Sequence, residues 1–373
     1  MLAAGLIAAG LFNLLWISGT RVEARRSAES AAISAGHSYL SDDLLRTSQQ
    51  SFEYDGRIAR CKDAAVAMAD KYCRQAALPG LSPQDIQLDW PSASDALKNA
   101  AALVPARITV NYDAHHDGFR IPLFFSGLTG LRNARLGVSA SVSMEHAPCA
   151  FRPGPQASVP MLPFAILNDT GAGTPKAESA RSGHWTKSIE SGSGRDRYSW
   201  NIDRHQFEVG PDGVPEITVT LYSSGSTGAD AFVPLSFCAQ RAGQSSSATS
   251  EWILSGLTQL DLRSLGRSEV TYPGTLPSCS LSSKQMESIS VVLRAKIGEP
   301  CVVSLCSSAE SGESSEIKLS RPVAARIIRV TPSIEGCTKV TLQPCVLITA
   351  TAVTSGEPAL ADNRYVYSVR LCD

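Results

Sequence analysis

Sequence motifs for catalysis and nucleotide binding are missing from this chain. It contains no G-x-S-x-G nucleophile elbow, no H-E-x-x-H zinc motif, no P-loop and no dinucleotide fingerprint. Ser315 and Lys318 fit the S-x-x-K pattern of penicillin-binding enzymes, but the SDN and KTG partners are absent, so we interpret the match as chance. The sequence therefore predicts a protein that is not an enzyme and has no catalytic residue.

Charge is also scarce, because Asp, Glu, Lys and Arg make up 18% of the residues, below the usual quarter. The net charge of -1 gives no indication of a nucleic-acid-binding protein, so we predict no nucleic-acid partner. Serine and glycine are plentiful, which is typical of a β-rich exported protein. The 373 residues are enough for one to three domains with a sizeable core.

The ten cysteines include no C-x-x-C pair, which excludes a zinc ribbon and a thioredoxin-type motif. An even set, spread from Cys61 to Cys372, predicts disulfides in an oxidising compartment; the alternative is ten reduced thiols in a cytosolic protein. Cys61 and Cys73 lie about 18 Å apart on one predicted helix and cannot pair with each other. Cys301 and Cys306 occupy opposite faces of one predicted strand, so each needs another partner. The disulfide connectivity therefore stays open.

No metal site or cofactor site is predicted. His115 and His116, in the stretch DAHHDG at 113–118, lie at a predicted hairpin tip. A solvated polar turn explains them better than a metal site does. Asp212 and Glu216 flank a turn, but the sequence identifies no apposed carboxylate for glycoside hydrolysis.

A long apolar run lies at the beginning of the chain. Residues 2–18 carry no charge, and as a helix they extend for about 25 Å, just short of the hydrocarbon core of a bilayer. Trp16 lies where an interfacial aromatic residue would. No Lys or Arg precedes the run, which argues against a signal peptide, although Val22–Ala24 offers a poor cleavage site. We predict a transmembrane helix at 1–18, with a cleaved signal as the alternative.

The orientation of this helix depends on two opposing signals. Arg21, Arg25 and Arg26 follow the run and, taken alone, would keep the rest of the chain inside. The cysteines and the serine-rich β composition favour the opposite side. We predict a single-pass protein of the bacterial inner membrane whose bulk is periplasmic or extracytoplasmic. Residues 19–50 are predicted as a juxtamembrane Ala-rich helix, whose stripe of small residues suits helix–helix contact or a solvated surface.

Hydrophobic periodicity predicts an α+β fold for the rest of the chain, with a boundary at the proline-rich stretch that begins at Pro148. A small α+β domain, residues 51–147, has an antiparallel sheet with helices; a β-rich extracytoplasmic C-terminal domain, residues 148–373, has two helices. In the first, helices are predicted at 56–77 and 92–103 and strands at 106–112, 119–125 and 136–144. In the second, a long surface loop is predicted at 169–198, a hairpin at 207–221, helices at 251–265 and 283–297, and strands at 301–306, 317–330, 338–352 and 364–371.

Several sequence blocks, taken in order, resemble one known family. The apolar helix that continues into AESAAISAG, Ala28 to Gly36, is similar to the N-terminal signature of the TadE/TadG-like Flp pilus-assembly proteins of the tight-adherence system. Successive blocks resemble the long TadG-like form: LFFSGLTGLRNARLGVSASV, VPMLPFAI, GRDRYSWN, GPDGVPEITVTLY, GLTQLDLRSLG and GEPCVVSLC. The D-x-S-x-S metal site of the von Willebrand A domain, which some TadG proteins carry, is absent, so metal-dependent adhesion is not implied.

The resemblance implies a membrane-anchored, non-enzymatic component of a Flp/Tad-type pilus assembly or secretion apparatus, with a role in cell adhesion. It implies that the partners are the membrane and, through the N-terminal helix, pilus-assembly or secretion-system proteins, and it allows a homo-oligomer. The alternative is a tethered or secreted glycan-binding module or enzyme whose site has no recognisable motif.

Overall fold

The computed structural model of the chain has a mixed α+β architecture, as the sequence predicted. It describes residues 2–46, 51–76, 83–89, 107–112, 120–130, 132–146, 148–168, 185–202, 204–222, 231–237, 246–307, 316–332, 337–354 and 363–372. Contacts divide the chain into two units. The first unit contains Met1–Leu40, Gln49–Glu145 and Val369–Asp373, and the second contains Ser41–Ser48 and His146–Ser368. The domain ranges drawn from the sequence stay predictions.

Helix α1 runs without interruption from Leu2 to Tyr39 in the first unit. Its 38 residues extend for about 57 Å, and its many alanines and leucines are strong helix formers. The apolar run and the Ala-rich stretch therefore form one helix, as the sequence allowed. Beyond it, Asp42–Leu45 form a short 3₁₀ helix that belongs to the second unit.

The Ala-rich half of α1 packs against helix α2, Ser51–Ala76, which confirms the predicted helix at 56–77. The two helices are antiparallel, since the Oγ of Ser27 lies 3.6 Å from the Sγ of Cys73 and the Oγ of Ser38 donates to the carbonyl of Arg60. Small buried side chains line the contact: Ala24, Ala28, Ala31, Ala32 and Ala35 of α1, and Cys61, Ala65 and Ala69 of α2. Helix α2 and the sheet of the first unit together therefore cover the predicted small-residue stripe.

The sheet of the first unit lies against α1. Its strands are β1 (Ile86–Asp89), β2 (Arg107–Tyr112), β5 (Val138–His146) and the end of the last strand, Val366–Cys372, in that order. Pairing is antiparallel from β1 to β2 and from β2 to β5, and the predicted strands at 106–112 and 136–144 are confirmed. A Cβ atom at Gly36 of α1 would lie 3.2 Å from the Cγ1 of Val369 and 3.7 Å from the Cγ2 of Val142. Glycine at this position therefore lets the helix approach the sheet closely.

The predicted strand at 119–125 is shorter than its alternating pattern suggests. Strand β3 is Arg120–Pro122, which pairs with β4, Asn133–Arg135. Pro122 has no backbone N–H to donate to a ladder, and the chain then forms a single helical turn, α3, at Ser126–Thr129. Gly130, with a φ of 70°, ends this turn by donating its N–H to the carbonyl of Ser126.

A seven-stranded sheet forms the core of the second unit. The strands of this unit are β6 (Pro148–Phe151), β7 (Met161–Leu167), β8 (Tyr198–Asn201), β9 (Gln206–Val209), β10 (Ile217–Tyr222), β11 (Phe232–Pro234), β12 (Val270–Thr271), β13 (Gly274–Pro277), β14 (Pro300–Cys306), β15 (Glu316–Pro332), β16 (Cys337–Pro344), β17 (Leu347–Ile348), β18 (Ala352–Thr354) and the start of β19 (Val366–Cys372). The main sheet has the order β10-β16-β15-β14-β7-β11, and β13 also pairs with β15. Pairing is antiparallel except between β14 and β7. The predicted strands at 301–306, 317–330 and 364–371 are confirmed, whereas the one at 338–352 is divided into β16, β17 and β18.

The predicted helix at 251–265 is in fact two helices, α4 (Ser246–Ser255) and α5 (Gln259–Ser264). Gly256 separates them with a φ of 77°, and a Cβ atom there would lie 2.3 Å from the carbonyl oxygen of Val159. The two helices are therefore separated because the backbone at Val159 lies close to Gly256. The helical periodicity of the sequence gives no sign of this long-range contact.

Helix α6, Ser283–Ala295, confirms the predicted helix at 283–297 and its capping box. The Oγ of Ser282 accepts from the N–H of Gln285, and the Gln285 side chain accepts from the N–H of Ser282 at 2.8 Å. One face of the helix is buried over the main sheet, through Met286, Ile289 and Leu293.

Two further predictions for the second unit need correction. The predicted hairpin between 207–209 and 217–221 is wrong, since β9 pairs with β8 and β10 pairs with β16. Alternation identifies a strand but not its partner. The predicted surface loop at 169–198 contains the fully buried Trp185 and a π-helical turn at Thr186–Glu190. Residues 169–184, and the predicted helix at 92–103, lie outside the described residues.

No disulfide joins any of the nine cysteines in the described part of the chain, which corrects the predicted disulfides for these residues. Several thiols are buried near carbonyl groups instead: the Sγ of Cys301 lies 3.1 Å from the oxygen of Ala325. Burial raises the pKa of Cys61, Cys301 and Cys306 to about 12, so these groups stay thiols and are poor nucleophiles.

Candidate functional site

The apolar segment of α1, residues 2–18, exposes large aliphatic side chains. Ile7 is 65% exposed and Leu15 is 73% exposed, and Leu6, Leu11 and Leu14 are also on the surface. Among the helices that the described residues form, α1 is the one long and apolar enough to cross a membrane, and a signal sequence would have the same character. Water disfavours apolar surface by about 25 cal/mol per Å², so this segment favours an apolar environment.

Charged side chains begin directly after the apolar segment. Arg25 forms an ion pair with Glu29 at 2.8 Å, and Arg26 forms one with Glu23 at 3.0 Å. These pairs follow helical spacing and each stabilises the helix by roughly 0.2–0.5 kcal/mol. The surface of α1 therefore changes from apolar to charged between Ser18 and Arg21.

Four aromatic rings form a cluster on the surface of the first unit. The aromatic cluster consists of Phe12 and Trp16 from α1, and Phe124 and Phe125 from the turn after β3. The centroid of Phe12 lies 5.5 Å from those of both Phe124 and Phe125, and Trp16 lies 4.9 Å from Phe124, all edge to face. Such pairs contribute about 0.5–1.5 kcal/mol each. The sequence analysed alone missed this cluster, because the period-2 pattern assigned Phe125 to a strand.

Two buried polar side chains of the first unit were also not singled out from the sequence. Asn13 of α1 is 5% exposed, and neither amide atom has a hydrogen-bond partner among the described residues. Arg57 of α2 is 2% exposed, and its Nε and Nη1 have no partner in that same part of the chain. Its guanidinium group lies 5.8 Å from the ring centroid of Tyr39, a cation–π contact that partly offsets burial.

A polar pocket of about 450 Å³ is the candidate binding site of the second unit. Three arginines line it, Arg195, Arg197 and Arg329, together with Glu216. Hydroxyl groups complete the lining: Ser188, Ser193, Tyr198, Thr218 and Thr341. None of the three guanidinium groups forms an ion pair with a described residue, so this arginine pocket can attract an anion.

Three carboxylates next to the arginine pocket stabilise the surrounding loops. Asp196 accepts from the backbone N–H of Asp212 and of Gly213, and Glu216 accepts from those of Arg197 and Tyr198. Desolvation raises the pKa of Asp212 and Glu216, and the charge of Asp196 raises it further, while the backbone hydrogen bonds oppose the shift. The sequence identified no apposed carboxylate for Asp212 and Glu216; the structure brings Asp196 to both.

The remaining motif residues fall at or beyond the edge of the described chain. Within it, no group of three or more His, Cys, Asp or Glu side chains is arranged for a metal ion. His115, His116 and Ser315 lie outside the described residues, and Lys318 lies in β15 opposite Thr275 of β13. The interpretations of these motifs therefore stay predictions.

Comparisons with protein-family models, with curated proteins and with solved structures found no match to this chain. The resemblance to TadE/TadG-like proteins therefore rests on the order of the sequence blocks. The block AESAAISAG forms the part of α1 that α2 covers, and LFFSGLTG forms the turn that carries Phe124 and Phe125.

Proposed function

We propose that the protein is a membrane-anchored, non-enzymatic component of a Flp/Tad-type pilus assembly or secretion apparatus. The observation that carries this proposal is α1, whose apolar segment exposes large aliphatic side chains and whose Ala-rich half packs against α2. In this proposal residues 2–18 cross the bacterial inner membrane once, and the rest of the chain lies in the periplasm. The family resemblance supports the assignment to a pilus or secretion system.

The partners in this proposal are pilus-assembly or secretion-system proteins that contact α1 within the membrane. Because the Ala-rich stripe is buried within the first unit, the partner contact uses the apolar segment instead. Ala4, Gly5 and Ala8 are exposed there, and small residues at this spacing let two membrane helices approach closely. A second copy of the chain could use the same surface.

Charge insertion into the apolar segment tests the anchor. The double variant Leu11→Arg/Leu14→Arg changes two exposed side chains, so the packing of the first unit is kept. Each arginine near the centre of a membrane helix costs about 2.5–3.5 kcal/mol, so we expect the protein to leave the membrane fraction and pili to be lost. Val22→Arg, an exposed position beyond the segment, is the matched control. A double variant that stays in carbonate-washed membranes would contradict the anchor.

A fused reporter tests the orientation. Alkaline phosphatase fused after Asp373 folds only outside the cytoplasm, so we expect an active fusion. An inactive fusion would mean that Arg21, Arg25 and Arg26 keep the chain inside, as the positive-inside rule alone suggests.

The arginine pocket favours a second candidate function, the binding of an acidic glycan or a peptidoglycan fragment by the second unit. Its unpaired guanidinium groups suit carboxylates, and its hydroxyl groups suit sugar hydroxyls. Calorimetric titration with peptidoglycan fragments should show binding that Arg329→Ala weakens and Arg294→Ala, an exposed arginine on α6, leaves unchanged. Equal affinities for the two variants would exclude the pocket as the site.

A further inference from the structure

We propose that the loop between β3 and β4, Leu123–Gly130, enters the headgroup region of the same bilayer that α1 crosses. The loop and α1 would then form two contacts with one membrane. The inference rests on the proposed anchoring of residues 2–18 and adds a lipid-binding surface that the anchor alone does not include. We call this surface the hairpin loop.

The aromatic cluster fixes the hairpin loop beside the apolar segment. Phe124 contacts both Phe12 and Trp16 of α1. Trp16 lies two residues before Ser18, and Phe12 lies six before it, so the contact extends from about 3 Å to about 9 Å inside the apolar segment. Elements that lie in the membrane interface bury their apolar side about 5–10 Å deep, so the two depths agree.

The hairpin loop exposes the side chains that such a position requires. Phe124 is 61% exposed and Phe125 is also exposed, whereas Ile121 and Leu123 are buried and fix the loop to the rest of the first unit. The sequence LFFSGLTG carries no charge. Exposed aromatic rings next to an exposed apolar helix are typical of a surface that contacts membrane or protein.

The backbone of the hairpin loop is compatible with a shallow position. Gly130 donates its N–H to the carbonyl of Ser126 at 2.9 Å, and Leu123 donates to the carbonyl of Arg132 at 3.1 Å. The ends of any helical turn carry N–H and C=O groups that the turn itself cannot pair, so such a turn is disfavoured in the hydrocarbon core, where every backbone polar group needs a partner. The headgroup region still supplies water, which accounts for the loop stopping at that depth.

The charges around the hairpin loop favour a lipid surface as its binding partner. Residues 118–135 contain three arginines, at positions 120, 132 and 135, and no Asp or Glu. Arg132 is exposed at the base of the loop, and Arg21 is exposed just beyond the apolar segment of α1. Basic side chains near an anionic membrane strengthen binding to its surface. Aromatic rings bordered by arginines therefore match an apolar interface below a layer of anionic headgroups.

Fluorine NMR of the full chain in lipid nanodiscs tests the proposal. The probe is 4-trifluoromethylphenylalanine in place of Phe124, with one copy of the chain in each disc of phosphatidylcholine and phosphatidylglycerol. Lipids with a nitroxide near the headgroup should cause loss of the signal at position 124. A single copy per disc excludes cover by a second copy, and a purified chain excludes cover by another protein.

Two matched positions make the outcomes distinguishable. The same probe at Phe12 reports the anchor, and its signal should also be lost. The probe at Tyr72 of α2, 38% exposed and next to Cys73, lies at the level of Ser27, about 14 Å from Ser18, so its signal should be kept.

Each result decides between the two proposals. Loss at Phe12 with a kept signal at Phe124 would overturn the lipid contact and leave the anchor in place. Kept signals at both positions would overturn the anchor and, with it, this inference. Loss at Tyr72 as well would show unspecific contact with lipid and would also overturn the inference.

Discussion

The two units place their large apolar side chains in different environments. In the second unit, Phe164, Leu293 and Val323 are fully buried within or against the main sheet. In the first unit, Ile7 and Leu15 are exposed on α1, although their stretch of sequence carries no charge. The apolar character of a segment shows that it favours leaving water. The order of apolar and polar residues along the segment indicates whether it packs into the protein's own core or needs another apolar partner. Alternation with polar residues directs a strand to its own core, whereas an uninterrupted run has no polar face to present to water.

The packing within the units also differs. α1 and α2 meet through alanine, serine and cysteine, whereas the second unit is packed with phenylalanine and branched side chains. Buried alanine contributes less apolar area than buried leucine or phenylalanine, so the helical hairpin depends on close approach rather than on area. Four substitutions follow in order of decreasing expected effect. Those at Phe164 and Gly36 test the difference in packing, and those at Asp42 and His146 test polar groups of the second unit.

Truncation of Phe164 in the second unit should have the largest effect. Its ring is buried and lies 4.8 Å from that of Phe232, so Phe164→Ala should lower the free energy of unfolding by about 3–5 kcal/mol. Leu15→Ala in the first unit is the matched control and should change it little, because that side chain is exposed. Urea unfolding in mild detergent, followed by near-UV circular dichroism, measures both. Similar losses would contradict the contrast between the units.

Removal of the Asp42 carboxylate should have the next largest effect. Asp42 forms an ion pair with the largely buried Arg326 and accepts from the N–H of Val346 at 2.7 Å. Asp42→Ala leaves a buried guanidinium unpaired and should lower the free energy of unfolding by about 3 kcal/mol. Asp43→Ala removes a partly exposed ion pair with Arg46 and should cost at most about 1 kcal/mol. An equal decrease in the free energy of unfolding for both variants in the urea titration would show that the Asp42–Arg326 ion pair stabilises the fold no more than an exposed pair does.

A side chain at Gly36 should disturb the first unit to a smaller extent. Val at this position would overlap Val369 of the sheet, so Gly36→Val should cost about 1–3 kcal/mol. Gly19→Val is the control, since a Cβ atom there meets nothing within 4 Å and valine is the better helix former. Thermal unfolding followed by far-UV circular dichroism compares them. A stable Gly36→Val protein would show that α1 does not rest on the sheet.

The pH dependence of His146 should give the smallest effect. Burial lowers the pKa of this side chain from its ordinary 6.5, and the ring lies 6.2 Å from that of Tyr367. As the pH falls from about 7 to 5, the unfolded chain binds a proton that the folded one does not, so the free energy of unfolding decreases. His146→Gln should make this slope shallower in urea titrations across that range. An unchanged slope would assign the dependence to other groups.

Local signals predicted the elements of this fold well. The capping box at Ser282 and the alternation in β2 and β5 depend on neighbouring residues, and the structure confirms them. The pairing of the strands was harder to predict from the sequence. Alternation does not say which strand lies beside which, and β9 in fact pairs with β8. Gly256 divides a helical pattern because of Val159, which is distant in sequence.

The candidate sites were predicted less completely than the elements. The apolar segment is visible in the sequence because all of its residues are adjacent. The aromatic cluster joins α1 to a turn more than a hundred residues later, and the arginine pocket collects side chains from several strands. A Phe-Phe pair before Ser-Gly was the one local signal for the cluster, and the pattern that placed Phe125 in a strand obscured it.

The path of the chain between the two units affects the order in which they can form. Residues 41–48 belong to the second unit, the chain then returns to the first, and Val369 to Cys372 complete the sheet on which α1 rests. The ribosome has therefore synthesised the second unit up to Ser368 before the sheet of the first unit can close. Until then the edge of β5 lacks its neighbour, and an unpaired strand edge can pair with other chains during folding.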